Sequence, residues 1–208
     1  MPKFSLVIDT AFESCQVGVW DGDHCVTMAS MQGGGKHDII LAPLVEEIFK
    51  VHKIAVSDIA KIIVTTGPGR FTGLRVGIAF ARGLALVHQT PMVGVLTTDA
   101  LLWQVARTYP DHSHTAVIVA VKRGESFIQR IDQEIERVMD NELVDYFNKY
   151  DQTLLAGMLS PEAAILLKDH PNVQQATEIT EPSLEAIYAV AKSALPVETT
   201  IIRPYYAV

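Results

Sequence analysis

The stretch Phe4 to Ala29, FSLVIDTAFESCQVGVWDGDHCVTMA, decides how the fold is read. Phe4–Ile8 is an apolar run that stops at Asp9-Thr10, as a buried strand does. Cys15–Trp20 and Cys25–Ala29 flank Asp21-Gly22, a dipeptide suited to the positive φ angles of a tight hairpin turn. Three opening antiparallel strands are the expectation.

Outward from there the pattern alternates. Gly33-Gly34-Gly35 breaks the chain, and Asp38–Lys53 then carries apolar residues at helical spacing. Pro43 removes a donor in its early turns, so a bend or a late start is expected. Ser57-Asp58 begins the next connection, and Lys61–Thr66 reads as a strand rich in β-branched residues. Gly67-Pro-Gly-Arg-Phe-Thr-Gly73 is a tight turn into a helix ending near His88. Pro91–Val95 is a strand and Thr97–Arg107 a helix. Strand, hairpin, helix, strand, helix, strand, helix is the layout of an actin-like (ribonuclease-H-like) lobe.

Beyond Asp111 the signal thins. His114–Val121, Ser126–Ile131 and Glu136–Asp140 read as strands, and Pro161–Lys168 as a helix. Ser183–Leu195 reads as another helix, entered through Pro182-Ser183, and Thr200–Tyr206 as a terminal extended segment. The expected fold is α/β, two-lobed and actin-like (ASKHA). Residues 1–110 form the first lobe, and 111–208 a smaller, reduced second lobe.

Composition narrows the function. The 208 residues carry a net charge of −7, which argues against a protein that holds polyanionic RNA by itself. Cys15 and Cys25 are too few for a disulfide scaffold and read as reduced core thiols. The N-terminus lacks the charged-then-apolar pattern of a signal peptide. Gly73–Val87, the most apolar segment, is interrupted by Arg75 and Arg82 and is too short to span a bilayer. A cytoplasmic protein is expected.

The residues do not assemble an enzyme. An actin-like ATPase needs glycine-rich turns in both lobes, because backbone N–H groups approach phosphates closely only where no Cβ intervenes. Asp9 stands where the acidic strand end belongs, yet Ala11-Phe12-Glu13 follows it. Of thirteen glycines only Gly124 and Gly157 lie beyond Gly94. The 67–73 turn lacks the Lys-Ser/Thr pair of a P-loop. It is either a structural turn, the preferred reading, or an anion contact through Gly67, Gly69 and Thr72. The histidines include no pair at helical metal-ligand spacing, so no metal residues are assigned. His37 reads as a helix-opening residue, and His112 and His114 as parts of a solvated loop. No nucleophile elbow occurs, and no catalytic residue is assigned.

Two helices carry more apolar surface than one sheet face requires. In the first, Ile40, Leu44, Ile48 and Val51 form one stripe, with Leu41, Val45 and Phe49 beside it. In the second, Gly73, Gly77, Ala81 and Ala85 recur every four residues as a smooth strip, and Arg75, Ala79 and Arg82 share another side. Either this helix is enclosed by its own lobe or, the preferred reading, both helices serve a protein interface with the arginines at its rim. On that reading a bulky charged residue at Gly77 or Ala81 blocks the partner without unfolding the chain.

The run from Gly67 through Ala79, continuing in Arg82-Gly-Leu-Ala-Leu and Pro91-Met-Val-Gly-Val, resembles the signature of the TsaB (YeaZ) family. So do Ile8-Asp9-Thr10, His37 with Leu41 and Pro43, Lys122-Arg123-Gly124-Glu125, and Ile202-Arg203-Pro204. The chain departs from that pattern at Arg70, where Ser is usual, and at Ala120-Val121-Lys122, where Asp-Ala-Arg is usual. The resemblance implies a two-lobed fold without a working nucleotide site and a heterodimer with the catalytic TsaD, joined by the nucleotide-hydrolysing TsaE. Together these transfer threonylcarbamoyl to the adenosine beside the anticodon of tRNAs reading codons that begin with A. It also implies a bundle of the first two long helices of each protein, no cofactor held by this chain alone, and ATP with magnesium used by the complex. Without TsaD, a homodimer through the same helices is expected. The competing expectations are a stand-alone kinase or ATPase and a peptidase.

Overall fold

The computed structural model describes residues 2–122, 124–194 and 202–205. Arg123 of the second-lobe motif, Leu195, and residues 200, 201 and 206 of the expected terminal segment lie outside them.

The first sheet is built from β1 (Phe4–Asp9), β2 (Ser14–Asp21), β3 (His24–Gln32), β4 (Ile59–Gly67) and β5 (Met92–Leu96). The strand order is β3-β2-β1-β4-β5. β1 pairs antiparallel with β2 and parallel with β4, so it lies at the centre. Its apolar run follows from that position, because Leu6, Val7 and Ile8 are all fully buried. Cys15 stands opposite Met31 and Cys25 opposite Trp20. Both thiols are free, and burial pushes that of Cys15 up to about 11, with the neighbouring Asp9 adding to the shift. A ladder spacing of roughly 3.3 Å per residue keeps them well beyond bonding reach.

α1 (His37–His52) and α2 (Phe71–His88) cover one face of this sheet. α1 starts at His37 and runs through Pro43, so the late start expected there does not occur. The other face is covered by α3 (Thr97–Thr108) and by α6 (Leu184–Ser193), whose Leu184, Ile187 and Ala191 pack on Val7, Ile63 and Val93. Trp20 stacks on Tyr188 with ring centroids 4.8 Å apart, and the Tyr188 hydroxyl donates to the Gly22 carbonyl. Ser183 caps α6 by accepting the Ala186 N–H, as its Pro-Ser entry predicts.

The second sheet contains β6 (Thr115–Lys122), β7 (Glu125–Arg130), β8 (Glu136–Met139), β9 (Thr153–Met158) and β10 (Val173–Gln175), ordered β10-β9-β6-β7-β8. Substituting β6 for β1, this is the order of the first sheet, with the same antiparallel hairpin and parallel additions. The lobe is therefore complete in topology. It is smaller because its strands are short and its outer face carries only α4 (Leu143–Asn148) and α5 (Pro161–Leu167). The chain then returns to the first lobe as α6, so the lobes do not divide the sequence at a single point.

Candidate functional site: a sealed cleft and an open helix pair

In an actin-like molecule the β1–β2 connection faces the cleft between the lobes. Here that connection is packed shut. Ala11 and Phe12 are fully buried among Leu101 and Val105 of α3 and Val117 and Val119 of β6. Burying an aromatic ring of this size is worth roughly 2–3 kcal/mol, so the loop is held down rather than poised over a ligand. The turn before α2 closes over it, since the Arg70 N–H donates to the Ala11 carbonyl at 2.8 Å. A Cβ on Gly69 would lie 2.7 Å from that same carbonyl oxygen. The Arg70 guanidinium is 2.5 Å from the Glu13 carboxylate, both side chains being partly exposed.

Asp9, the expected acidic strand end, is sealed as well. It has no solvent exposure, and its Oδ1 accepts from the Thr65 hydroxyl at 2.6 Å and the Ala11 N–H at 3.0 Å. Its Oδ2 is buried without a hydrogen-bond partner among the described residues. Burial pushes the carboxyl up to about 6, against the lowering effect of Thr65 and the Ala11 N–H, while Glu181 adds a small rise. A carboxyl closed off from solvent, with one oxygen committed to Thr65 and Ala11, offers little to an incoming cation. Among the described residues, no group of three or more His, Cys, Asp or Glu is placed to hold a metal ion.

What remains of the cleft is a hollow of about 250 Å³ lined by Pro68, Gly69, Phe71, Phe127 and Tyr205, with a charged edge. On that edge Glu125 pairs with Lys122 at 3.0 Å and Arg137 at 2.6 Å. Lys122, then Arg137, hold the Glu125 carboxyl below its ordinary range. His112 and His114 line a separate polar hollow on the second lobe with Asp111 and Asn172. His37 is buried beside Gly33, its Nε2 without a hydrogen-bond partner among the described residues.

The three residues expected to form an anion contact do not converge. Gly67 is buried beneath Leu74 and the backbone of Tyr205, Gly69 lies against Ala11, and Thr72 is exposed on the helix surface. The helix residues expected at an interface divide by face. Leu41, Leu44, Val45, Ile48, Gly73, Gly77 and Ala81 are buried in their own lobe. Ile40 and Arg82 are half-buried, and Arg75 and Ala79 are exposed.

This corrects the reading of the small-residue strip. A Cβ on Gly73 would lie 2.0 Å from the Thr10 carbonyl oxygen, and one on Gly77 2.3 Å from the Thr10 hydroxyl. The Thr10 hydroxyl in turn donates to the Gly73 carbonyl at 2.8 Å. The strip lets the end of β1 approach α2, so a bulky residue at Gly77 or Ala81 strikes the fold itself.

The open face of the pair is elsewhere. On α1 it comprises Ile39, Ala42 and Val51, and on α2 Phe71, Ala79, Gly83, Leu86 and Val87. Five of the eleven large apolar side chains exposed among the described residues stand on these two helices, with Leu86 at 70% and Ile39 at 66%. A Cβ added to Gly83 meets open space.

The fold is that of an actin-like protein, with the connection after β1 buried between its two lobes. Residues 31–196 match the family model for TsaD, tRNA N6-adenosine threonylcarbamoyltransferase. The chain is 34% identical over 124 residues to the tRNA threonylcarbamoyladenosine biosynthesis protein TsaB of Escherichia coli, an alignment covering 59% of this chain and 52% of that one. It is 29% identical over 119 residues to the tRNA N6-adenosine threonylcarbamoyltransferase of Fervidobacterium nodosum, covering 55% of this chain and 35% of that one. YeaZ from Pseudomonas aeruginosa superposes with a TM-score of 0.76 at 20% identity, covering 99% of this chain and all of that one. The chain belongs to the family described by the TsaD model, and among curated proteins it is similar to TsaB proteins. It spans about half the length of the curated relatives it matches. Among the described residues no helix is long and apolar enough to cross a membrane.

Proposed function

We propose that this chain is the non-catalytic partner subunit in threonylcarbamoyl modification of tRNA adenosines, and that it docks on a catalytic member of its own family through the outer face of α1 and α2. The observation that carries this is the burial of Ala11 and Phe12 between the lobes, which on this reading leaves the loop after β1 unable to hold phosphates. A molecule built this way has kept the scaffold and lost the means to use it alone. Its similarity to both TsaB and TsaD proteins supports a pairing of like with like, in which each partner contributes the same two helices. The exposed apolar residues of α1 and α2 supply the surface for that pairing. ATP and magnesium, on this reading, are used by the assembled complex with TsaE and not by this chain.

The test is sedimentation of the purified chain with TsaD of the same organism, beside assays of the chain alone for ATP turnover and proteolysis. A 1:1 complex and two blank assays are expected. Robust turnover or proteolysis by the chain alone contradicts the proposal, as does failure to associate. A self-dimer that dissociates on adding TsaD fits a shared helix face.

A further inference from the structure

Beside the open face of α2 lies a hollow of about 520 Å³ lined by Arg75, Ile78, Ala79, Arg82, Arg203 and Pro204. Three arginines from two separate segments meet there. No acidic residue occurs in α2 or in residues 202–205, although the chain carries 24 acidic residues against 17 basic ones.

The arrangement is built rather than accidental. Ile202 is buried in the first-lobe core, and the Tyr205 N–H donates to the Thr66 carbonyl at 2.7 Å, so Arg203 is carried on backbone fixed on both sides. Arg82 donates to the Ile202 carbonyl and ties this segment to α2. The Arg75 guanidinium lies 4.8 Å above the Phe71 ring, a contact that helps to orient it. Neither Arg75 nor Arg203 forms an ion pair among the described residues, and both are exposed. Like charges held around one concavity repel, and an incoming anion relieves that cost. The guanidinium fork matches a carboxylate in two-point geometry.

We infer that this hollow receives carboxylates from an acidic segment of the docked partner protein, with Arg75 and Arg203 as its anchors and Ala79 as its floor. The inference rests on the docking surface proposed above and adds the charge that the partner must present. A protein carboxylate fits better than an RNA backbone. The hollow includes Ala79 of the apolar α2 face, as arginine-rich interface rims do, and the remaining surface of a chain with net charge −7 repels a long polyanion.

The experiment measures the affinity for TsaD of the same organism at 50 and 500 mM NaCl. It compares the native chain with the double variant Arg75→Glu/Arg203→Glu and with Gly83→Arg, which blocks the apolar face without touching the hollow. Unfolding curves confirm that each variant folds; all three positions are exposed. The double variant is expected to bind on the order of 100-fold more weakly at low salt, with the gap narrowing at high salt. If it binds within about threefold of native while Gly83→Arg abolishes association, the docking face stands and the hollow's role is overturned. If neither variant weakens binding, the docking face falls too. If partner affinity holds but the assembled complex loses tRNA retention, the hollow serves nucleic acid and the inference is overturned.

Discussion

Asp9, at the end of β1, is a fully buried carboxyl whose protonation is linked to folding. Burial raises its carboxyl from 3.8 to about 6, so the folded chain holds that proton more tightly than the unfolded chain. The contribution is therefore fully present below about pH 4 and is lost as pH rises through 6. Asp9→Asn keeps an acceptor for Thr65 and the Ala11 N–H and removes the charge. The variant should gain stability relative to native between pH 4 and pH 7, by at most about 3 kcal/mol. Urea unfolding at pH 4, 5, 6 and 7 measures this, and a pH-independent difference contradicts it. Two glycines of α2 make an opposed pair. At Gly73 a new Cβ collides with the Thr10 backbone, so Gly73→Ala should cost roughly 1–3 kcal/mol. At Gly83 there is open space within a helix, so Gly83→Ala should be neutral or stabilise by up to about 1 kcal/mol. The same denaturation series reads both, and equal effects would show that the α2 packing is misassigned.

Among the elements, α1 and α2 show where sequence reading succeeds and where it stops. Their extents were legible because apolar periodicity over sixteen and eighteen residues is a strong signal. The smooth strip from Gly73 to Ala85 was legible too, as a surface that something approaches closely. Its occupant was not, because no local pattern shows that the end of β1, through Thr10, is the approaching group. The opposite strip, Ala79, Gly83 and Leu86, also keeps the spacing of a helix face, so its signal is present in the sequence. The consequence is a change in which substitutions separate docking from folding. Leu86→Glu, on an exposed side chain, should weaken partner association at least tenfold while shifting stability by less than about 0.5 kcal/mol. Affinity measurements and thermal unfolding on one sample decide it. Unchanged affinity would move the interface off α2.

Across the whole molecule the structure is two copies of one topology, closed over an apolar layer of Phe12, Leu101, Val117 and Leu154. The first copy was readable from the hairpin and the long helices. In the second, β9, β10 and α4 escaped notice, since Thr153–Met158 is a short apolar run without alternation and β10 has only three residues. Such segments acquire strand character from their neighbours in the sheet rather than from their own pattern. The scarcity of glycines after Gly94 was legible in the sequence, but the burial of Phe12 between the lobes needed the packing. On the proposed function, this apolar layer between the lobes belongs to a chain that supports chemistry carried out by a partner. The most direct test is reconstitution of tRNA threonylcarbamoylation from TsaD, TsaE, ATP and threonylcarbamoyl-adenylate, with and without this chain. Modified adenosine is expected to accumulate only when the chain is present, and none to form from the chain without TsaD. Equal yield in its absence, or product formed by the chain alone, would contradict that expectation.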